Sequence, residues 1–241
     1  GALRARHGHP EPYGLKYIEV DNERFLTPGY AECVKKFARA AWEADPQMTI
    51  MVSLNIGRDG YKRGTPAYEL ASSLAGWFIE QGKGDRFAWD PHYSGDRRFA
   101  DDQAWFENEM GITLQEELAK DHPGFKLNLH PMEENGSRCD WDRGLAHASN
   151  WNTLQRYGNC FRMLGTANTF QPHHLEYMWD QGRIHYTSDT LWFQPSACID
   201  EMMMETWKPN VVQTSSSDAA LDITAKINDK KTEMTLYIAN M

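Results

Sequence analysis

The feature that most constrains the fold is a regular alternation of apolar and amphipathic segments along roughly the first two-thirds of the chain. Apolar segments at 16–20, 49–55, 86–93 and 125–135 predict four strands. A segment with apolar residues at helical spacing follows each of them. The order βαβαβαβα is typical of a parallel sheet with crossover helices. The strands are almost wholly apolar, as expected where both faces of a sheet are covered.

The termini of the predicted helices can be located from local sequence. Thr27-Pro28 and Thr65-Pro66 each place proline directly after an N-cap residue, which predicts the start of two helices. A third helix is predicted over 101–121, and a fourth begins at Asp140 or Asp142. These helices supply the crossover connections that a parallel sheet requires.

The pattern changes near residue 184. From there the chain reads as short alternating segments separated by turn residues and without helices, which predicts an antiparallel β module. The exception is the methionine run at 202–204, which we interpret as helix core. We therefore expect a domain boundary between 170 and 195.

Composition and spacing exclude several classes of function. The formal net charge is −9 and the basic residues are scattered, so we expect no nucleic-acid partner. No apolar run approaches the roughly 20 residues of a membrane-spanning helix, so we expect no membrane partner. The cysteines form no CxxC pair and the histidines show no HxxxH spacing, which argues against a metal site; the adjacent His173-His174 is interpreted as loop. Cysteine usage leaves the cellular compartment open.

Three predicted strands end in groups that can carry chemistry: Asn22-Glu23, residues 90–93, and 133–135. In parallel α/β folds, functional groups gather at the carboxyl ends of the strands. Glu23 and Glu133 are separated by three βα units, so in a closed eight-stranded barrel they could face each other across the mouth. Retaining glycoside hydrolysis uses two carboxyl groups about 5 Å apart, one protonated and one ionised. Spacing alone favours the alternative, two unrelated surface carboxylates at loop tips, since carboxylates are common at strand ends.

The amino-acid sequence of these segments resembles that of glycoside hydrolase family 51, the α-L-arabinofuranosidases. "GHPEPYGLKYIEVDNE" (8–23) is similar to the acid/base segment of that family. "HPMEENGSRCDWDRGLAHASNWNTLQRYG" (130–158) is similar to its nucleophile strand and following helix, and "MWDQGRIHYTSDTLWFQP" (178–195) to the segment after its last barrel strand. The resemblance implies part of a (β/α)8 TIM-type catalytic barrel from strand 4 onward at 1–183. It also implies the start of an antiparallel β-sandwich at 184–241.

The resemblance also implies roles for individual residues. Glu23 matches the general acid/base, and Asn22 matches the neighbour that hydrogen-bonds the sugar 2-hydroxyl. Glu133 matches the nucleophile. His92 and Tyr93 match the strand-end pair that supports the nucleophile at the substrate site, although a simple packed His-Tyr pair is the alternative.

Two positions depart from the family pattern. Glu134 stands where the family has an aromatic residue, which leaves Glu133 and Glu134 as alternatives for the nucleophile. Alternation along a strand allows only one of them to point into the barrel mouth, and we take Glu133. Asp21 replaces a glycine: it either raises the pKa of the neighbouring acid or turns outward, and we expect it to turn outward.

The predicted function is a retaining glycoside hydrolase that releases terminal α-L-arabinofuranosyl residues from plant oligo- or polysaccharides without a cofactor. One alternative is another retaining barrel glycosidase, such as a xylosidase or endoglucanase. A second is a non-catalytic carbohydrate-binding or scaffold protein on a degenerate barrel. Because the resemblance begins at barrel strand 4, we expect either a fragment of a longer enzyme or a homo-oligomer that completes the fold.

Overall fold

The computed structural model describes residues 1–56, 59–96, 102–173 and 181–241. The strands are Tyr17–Glu19 (β1), Arg24–Phe25 (β2), Thr49–Val52 (β3), Leu54–Asn55 (β4), Phe87–Trp89 (β5), Tyr93–Ser94 (β6), Leu127–Leu129 (β7), Glu134–Asn135 (β8), Phe170–Pro172 (β9), Ile184–Tyr186 (β10), Leu191–Phe193 (β11), Asn210–Val212 (β12), Leu221–Ile227 (β13) and Met234–Asn240 (β14). The helices are Ala2–Arg6 (α1), Pro28–Ala44 (α2), Pro66–Glu80 (α3), Gln103–Glu109 (α4), Ile112–Asp121 (α5), Trp141–Arg156 (α6) and Pro195–Glu205 (α7). Among these helices, none has both the length and the apolar character needed to cross a membrane.

The chain divides into two compact units. The first comprises Gly1–Trp89 and Leu114–Asn128, and the second comprises Asp90–Thr113 and Leu129–Met241. Each unit is therefore assembled from two stretches of sequence. The sequence predicts a boundary between a barrel domain at 1–183 and a β module at 184–241. The two compact units divide the chain at other positions, and the predicted domain boundary stays a prediction.

A parallel sheet in the order β1-β3-β5-β7 is the centre of the first unit. Ile50 of the fully buried β3 pairs with Ile18 of β1 and with Phe87 of β5. The Asn128 amide fixes β7 by donating to the backbone carbonyl of Phe87 at 3.1 Å. The predicted α/β class with a parallel sheet is confirmed. A closed barrel is not observed within the described residues, where β1 and β7 are the outermost strands of this four-stranded sheet.

The predicted helix starts in the first unit are confirmed. The Thr27 hydroxyl accepts from the backbone N–H of Tyr30, and the Thr65 hydroxyl accepts from that of Tyr68, each at 3.2 Å. Proline occupies the first helical turn in both cases, where a missing N–H costs nothing. These caps fix where α2 and α3 leave the sheet.

The third predicted helix is interrupted. Residues 103–121 form two helices, α4 and α5, because Gly111 adopts a φ of +77°, outside the helical range. The prediction of one continuous helix over 101–121 is therefore wrong; Asp101 itself lies outside the described residues. Asp102 caps α4 by accepting from Trp105 N at 3.0 Å.

The second unit contains a short parallel pair, β6–β8, and two three-stranded sheets. One sheet is mixed, with β10 parallel to β9 and antiparallel to β11, and the other, β12-β13-β14, is antiparallel. Asp140 caps α6, as one of the two predicted alternatives, by accepting from Arg143 N at 3.1 Å. Of the predicted His173-His174 loop, His174 lies outside the described residues.

After residue 184 a helix is predicted only at the methionine run, and the structure extends that helix toward the N-terminus. Helix α7 begins at Pro195 and contains the methionine run. The run is helical as interpreted, but only Met203 is buried; Met202 and Met204 are exposed, because successive helical residues point in different directions. Met203 packs with Tyr237 in a small apolar cluster between α7 and β14.

Core packing in the first unit gives a stability prediction. The Phe78 ring is fully buried, with ring centroids of Phe87 and Trp77 at 4.7 and 5.1 Å. Phe78→Ala should lower the free energy of unfolding by about 3–5 kcal/mol because it leaves a cavity. Phe37→Ala, on an exposed face of α2, should cost under about 1 kcal/mol. Equal losses of stability in denaturant titrations of the two variants would contradict this description of the core.

Candidate active site

The chain leaves the sheet for three residues directly after β1. Val20 N still donates to Met51 O at 2.9 Å, and pairing resumes where Arg24 N donates to Ser53 O at 3.0 Å. Between them Asp21 and Glu23 have φ of +68° and +49°, in the left-handed region that non-glycine residues seldom adopt. Residues held in such conformations are concentrated at functional sites. The loop displays Asn22 and Glu23 on the surface of the first unit, at the carboxyl end of β1.

Asp21 turns toward Arg24. Its carboxylate accepts from Arg24 Nε at 2.7 Å and from Asn22 N at 2.9 Å, and both contacts are exposed. The hydrogen bond from Arg24 is the main reason that the pKa of Asp21 lies below its ordinary value. This arrangement agrees with the outward orientation predicted for the residue.

In the second unit, His92 lies between two carboxylates. Its Nδ1 is 3.0 Å from Glu133 Oε2, and its Nε2 is 3.1 Å from Asp90 Oδ2. Asp90 is buried and is itself fixed, because its Oδ1 accepts from Met132 N at 2.6 Å. The side chain of Glu133 is 32% exposed, and Asn135 Nδ2 donates to its Oε2 at 3.2 Å. Glu133 is thus an oriented carboxylate with an accessible side.

The neighbouring carboxylate, Glu134, has the opposite environment. It is completely buried, accepts from the Tyr93 hydroxyl at 3.0 Å, and lies 2.8 Å from His147 Nδ1. It also forms an ion pair with Arg183. Glu134 is thus enclosed by protein, whereas the neighbouring Glu133 is partly exposed. The Tyr93 hydroxyl is buried and donates to Glu134. A contact between Tyr93 and substrate stays a prediction.

Asp200 completes the charged surroundings of Glu134. Its Oδ1 is 2.7 Å from His147 Nε2, and its Oδ2 pairs with Arg183. Burial alone would raise the pKa of Glu134, but Arg183 and His147 outweigh burial and hold that pKa far below its ordinary value. Burial likewise opposes the charge of His147, yet the adjacent carboxylates raise the pKa of the imidazole overall. The lowered pKa favours the ionised form of Glu134, and the raised pKa favours the protonated form of His147.

Four residues of this region have no role assigned from the sequence: Asp90, His147, Arg183 and Asp200. Asp90 belongs to a strand end that the sequence does single out, and its distance of two residues from His92 was an available signal. The other three lie on separate elements, with no spacing relative to Glu134 that could have revealed them. The only hint was Glu134 itself, a charged residue in a segment otherwise typical of a buried strand.

Comparison with known proteins bears on this geometry. Residues 1–109 match the family model described as the alpha-L-arabinofuranosidase 1 domain. The resemblance to the α-L-arabinofuranosidases is confirmed. The match covers less than half of the chain. A search of curated proteins finds no match.

Solved structures of three enzymes align with the chain. An arabinose-bound GH51 α-L-arabinofuranosidase, MgGH51, aligns with a TM-score of 0.65 at 17% identity, covering 99% of this chain and 36% of that chain. The chain thus spans about a third of the length of that arabinofuranosidase. The endo-β1,6-glucanase BT3312 aligns with a TM-score of 0.49 at 12% identity, over 91% of this chain and 60% of that one. An intracellular xylanase of Thermoanaerobacterium saccharolyticum aligns at 0.41 and 12%, over 67% and 46%.

The electrostatics of Glu134 give a pH prediction. A carboxyl group with a depressed pKa in the folded state stabilises the fold above its unfolded pKa of about 4.3, and this stabilisation is lost as the pH falls. Between pH 4 and pH 2 the stability of the unmodified protein should therefore fall more steeply than that of Glu134→Gln. The difference should approach 1.4 kcal/mol per pH unit, the limit of about one proton.

The measurement is a set of urea titrations across this pH range. At pH 7, Glu134→Gln should lose about 3–5 kcal/mol, because the cations that it pairs with stay buried. Glu11→Gln, at an exposed carboxyl of the first unit, should keep the slope of the unmodified protein. Identical slopes for Glu134→Gln and the unmodified protein would contradict an ionised Glu134.

Proposed function

We propose that this protein is a retaining glycoside hydrolase that releases terminal α-L-arabinofuranosyl residues from arabinose-containing oligo- or polysaccharides. The observation that carries the proposal is the accessible Glu133 carboxylate, held by His92 and Asn135 beside the buried Glu134. It occurs in a chain with a confirmed resemblance to the arabinofuranosidases. We include in the proposal that the parallel sheet is part of a (β/α)8 barrel at 1–183, followed by a β module at 184–241.

In the first step, Glu133 attacks the anomeric carbon of the arabinofuranose. The bond to the leaving oxygen breaks as an ester bond to Glu133 forms, and Glu23 donates its proton to the departing alcohol. In the second step, Glu23 takes a proton from water, the water oxygen attacks the same carbon, and Glu133 is released as a carboxylate. Asn22, next to Glu23, hydrogen-bonds the 2-hydroxyl of the sugar.

The geometry around Glu133 supports different roles for its two carboxylate oxygens, one bound by protein and one that reacts. The contacts from His92 and Asn135 both fall on Oε2, so Oε1 is the oxygen that we propose attacks the sugar. His92 is in turn fixed by the buried Asp90. This series of contacts from Asp90 through His92 to Glu133 orients the nucleophile before the substrate binds, which lowers the entropic cost of reaching the transition state.

The position of Glu23 supports its role as the acid/base. It follows β1, and Glu133 follows β7, which is another strand of the same parallel sheet. Groups that follow parallel strands gather at one edge of such sheets. The proposal requires that Glu23 keeps its proton until the leaving oxygen departs, while Glu133 is ionised.

Substitution of the two carboxylates tests the mechanism. Glu133→Ala should lower kcat by about 10⁴-fold or more on every substrate, because the covalent intermediate cannot form. Glu23→Ala should lower kcat/KM by about 10²–10⁴-fold on natural arabino-oligosaccharides. It should have a much smaller effect on aryl arabinofuranosides, whose leaving groups need no proton.

Asp21→Asn is the matched control, because Asp21 adjoins Asn22 and Glu23 but faces Arg24. It should retain activity on both substrate types. Equal losses by Glu23→Ala on aryl and natural substrates would refute the acid assignment. Faster release of xylose or glucose than of arabinose by the unmodified protein would refute the substrate, and no release of any sugar would refute the proposed function.

A further inference from the structure

Four charged side chains in the second unit form a closed ring in which the sign of the charge alternates. Glu134 contacts Arg183 and His147, and Asp200 contacts the same two residues from the other side. His147 presents one ring nitrogen to each carboxylate, and Arg183 presents one guanidinium nitrogen to each. With an imidazolium at His147, every charge in the ring has an opposite charge on both sides.

The ring joins elements that are distant in sequence. Glu134 is on β8, His147 on α6 and Asp200 on α7, while Arg183 directly precedes β10. Glu134 and His147 are fully buried, and Arg183 is nearly so. A buried ionic group is held tightly, because any movement that breaks its contacts leaves a charge without solvation. The ring therefore holds the interior-facing side of β8 in place through the side chain of Glu134.

A glycine makes room for the ring. At Gly95, directly after β6, a Cβ atom would overlap the carboxylate oxygen Oε1 of Glu134. Gly95 N also donates to Asn135 O at 2.8 Å, so the backbones of the two strands are held together at this point. The space beside β6 is thus shaped for a carboxylate at position 134.

The opposite side of the same two strands carries the candidate active site. Tyr93 of β6 pairs in register with Glu134 of β8, and Tyr93 N donates to Glu133 O at 3.2 Å. His92 and Glu133 each precede a residue of this pair, so they point to the other side of the strands. The contact between His92 and Glu133 is therefore formed by neighbours of two residues that are locked in the interior.

We infer that the ring of Glu134, His147, Asp200 and Arg183 is a positioning device that holds Glu133 and His92 in contact. These four residues act through the backbone of β6 and β8 and do not touch substrate. The device accounts for a second carboxylate directly after Glu133, where the resemblance implies an aromatic residue. Its consequence for turnover rests on the proposed function, whereas its effect on the contact between His92 and Glu133 does not.

The test compares two ring variants with a buried control. Glu134→Gln and Asp200→Asn each remove one negative charge with little change of shape. Thr224→Val removes a buried hydroxyl that donates to Asn152 O at 3.0 Å, in the same unit but outside the ring. The NMR signals of the His92 ring nitrogens, assigned by their loss in His92→Gln, report its contact with Glu133. The values of kcat and KM are measured on an aryl arabinofuranoside.

Both ring variants should shift the His92 signals and lower kcat by about 10- to 100-fold, with KM changed less than about threefold, because the nucleophile is displaced. Thr224→Val should lower thermal stability and leave the His92 signals and kcat unchanged. If Glu134→Gln does not fold, Asp200→Asn decides, since that side chain is partly exposed. Unchanged His92 signals in the folded ring variants would overturn the inference. Absence of turnover in the unmodified protein would overturn the proposed function alone, because the His92 signals still test the ring.

Discussion

The burial of Glu134 among Arg183, His147 and Asp200 is the interaction on which the candidate site depends. Taking a carboxylate out of water costs several kcal/mol, and only opposite charges at close range offset that cost. Here two cations face Glu134, and Asp200 balances them in turn. The cluster resists displacement, because breaking its contacts would leave a buried charge unpaired. The cluster holds Glu134 in the interior, while the adjacent Glu133 stays partly exposed.

Adjacent residues on a strand point to opposite sides, and this protein uses that rule to give two glutamates different tasks. Glu134 is buried and binds other protein side chains, while Glu133 is partly exposed and contacts His92. The loop after β1 reaches a comparable result by other means. The backbone of this loop leaves the sheet at Asp21 and Glu23, which both have φ angles in the left-handed region. Asp21 pairs with Arg24, whereas Glu23 lies exposed on the same loop. In both places the local backbone separates a carboxylate that binds protein from one that we propose binds sugar.

Much of the fold could be predicted from the sequence because it depends on local rules. The helix starts at Thr27 and Thr65 need only a hydroxyl and a following proline, and the parallel strands need only an apolar run. The break at Gly111 was missed because glycine within an amphipathic pattern is often tolerated in a helix. The part of helix α7 that precedes the methionine run was missed because it directly follows a segment typical of a strand.

The candidate site could be predicted only in part. Glu133 and His92 follow predicted strands, and the structure brings them together. The partners of Glu134 could not be found, because Arg183 and Asp200 join it only through the tertiary packing of β10 and α7. No periodic pattern encodes such a contact. The departure from the family at position 134 was visible in the sequence, but its meaning required the structure.

The most direct test of the account is to identify the residue that forms a covalent bond to the sugar. Incubation of the protein with an activated 2-deoxy-2-fluoro arabinofuranoside would trap the glycosyl ester, and trypsin would release residues 127–138, which carry both glutamates. Fragmentation of that peptide by mass spectrometry distinguishes them. We expect the label on Glu133. A label on Glu134, or on a residue outside this peptide, would contradict it.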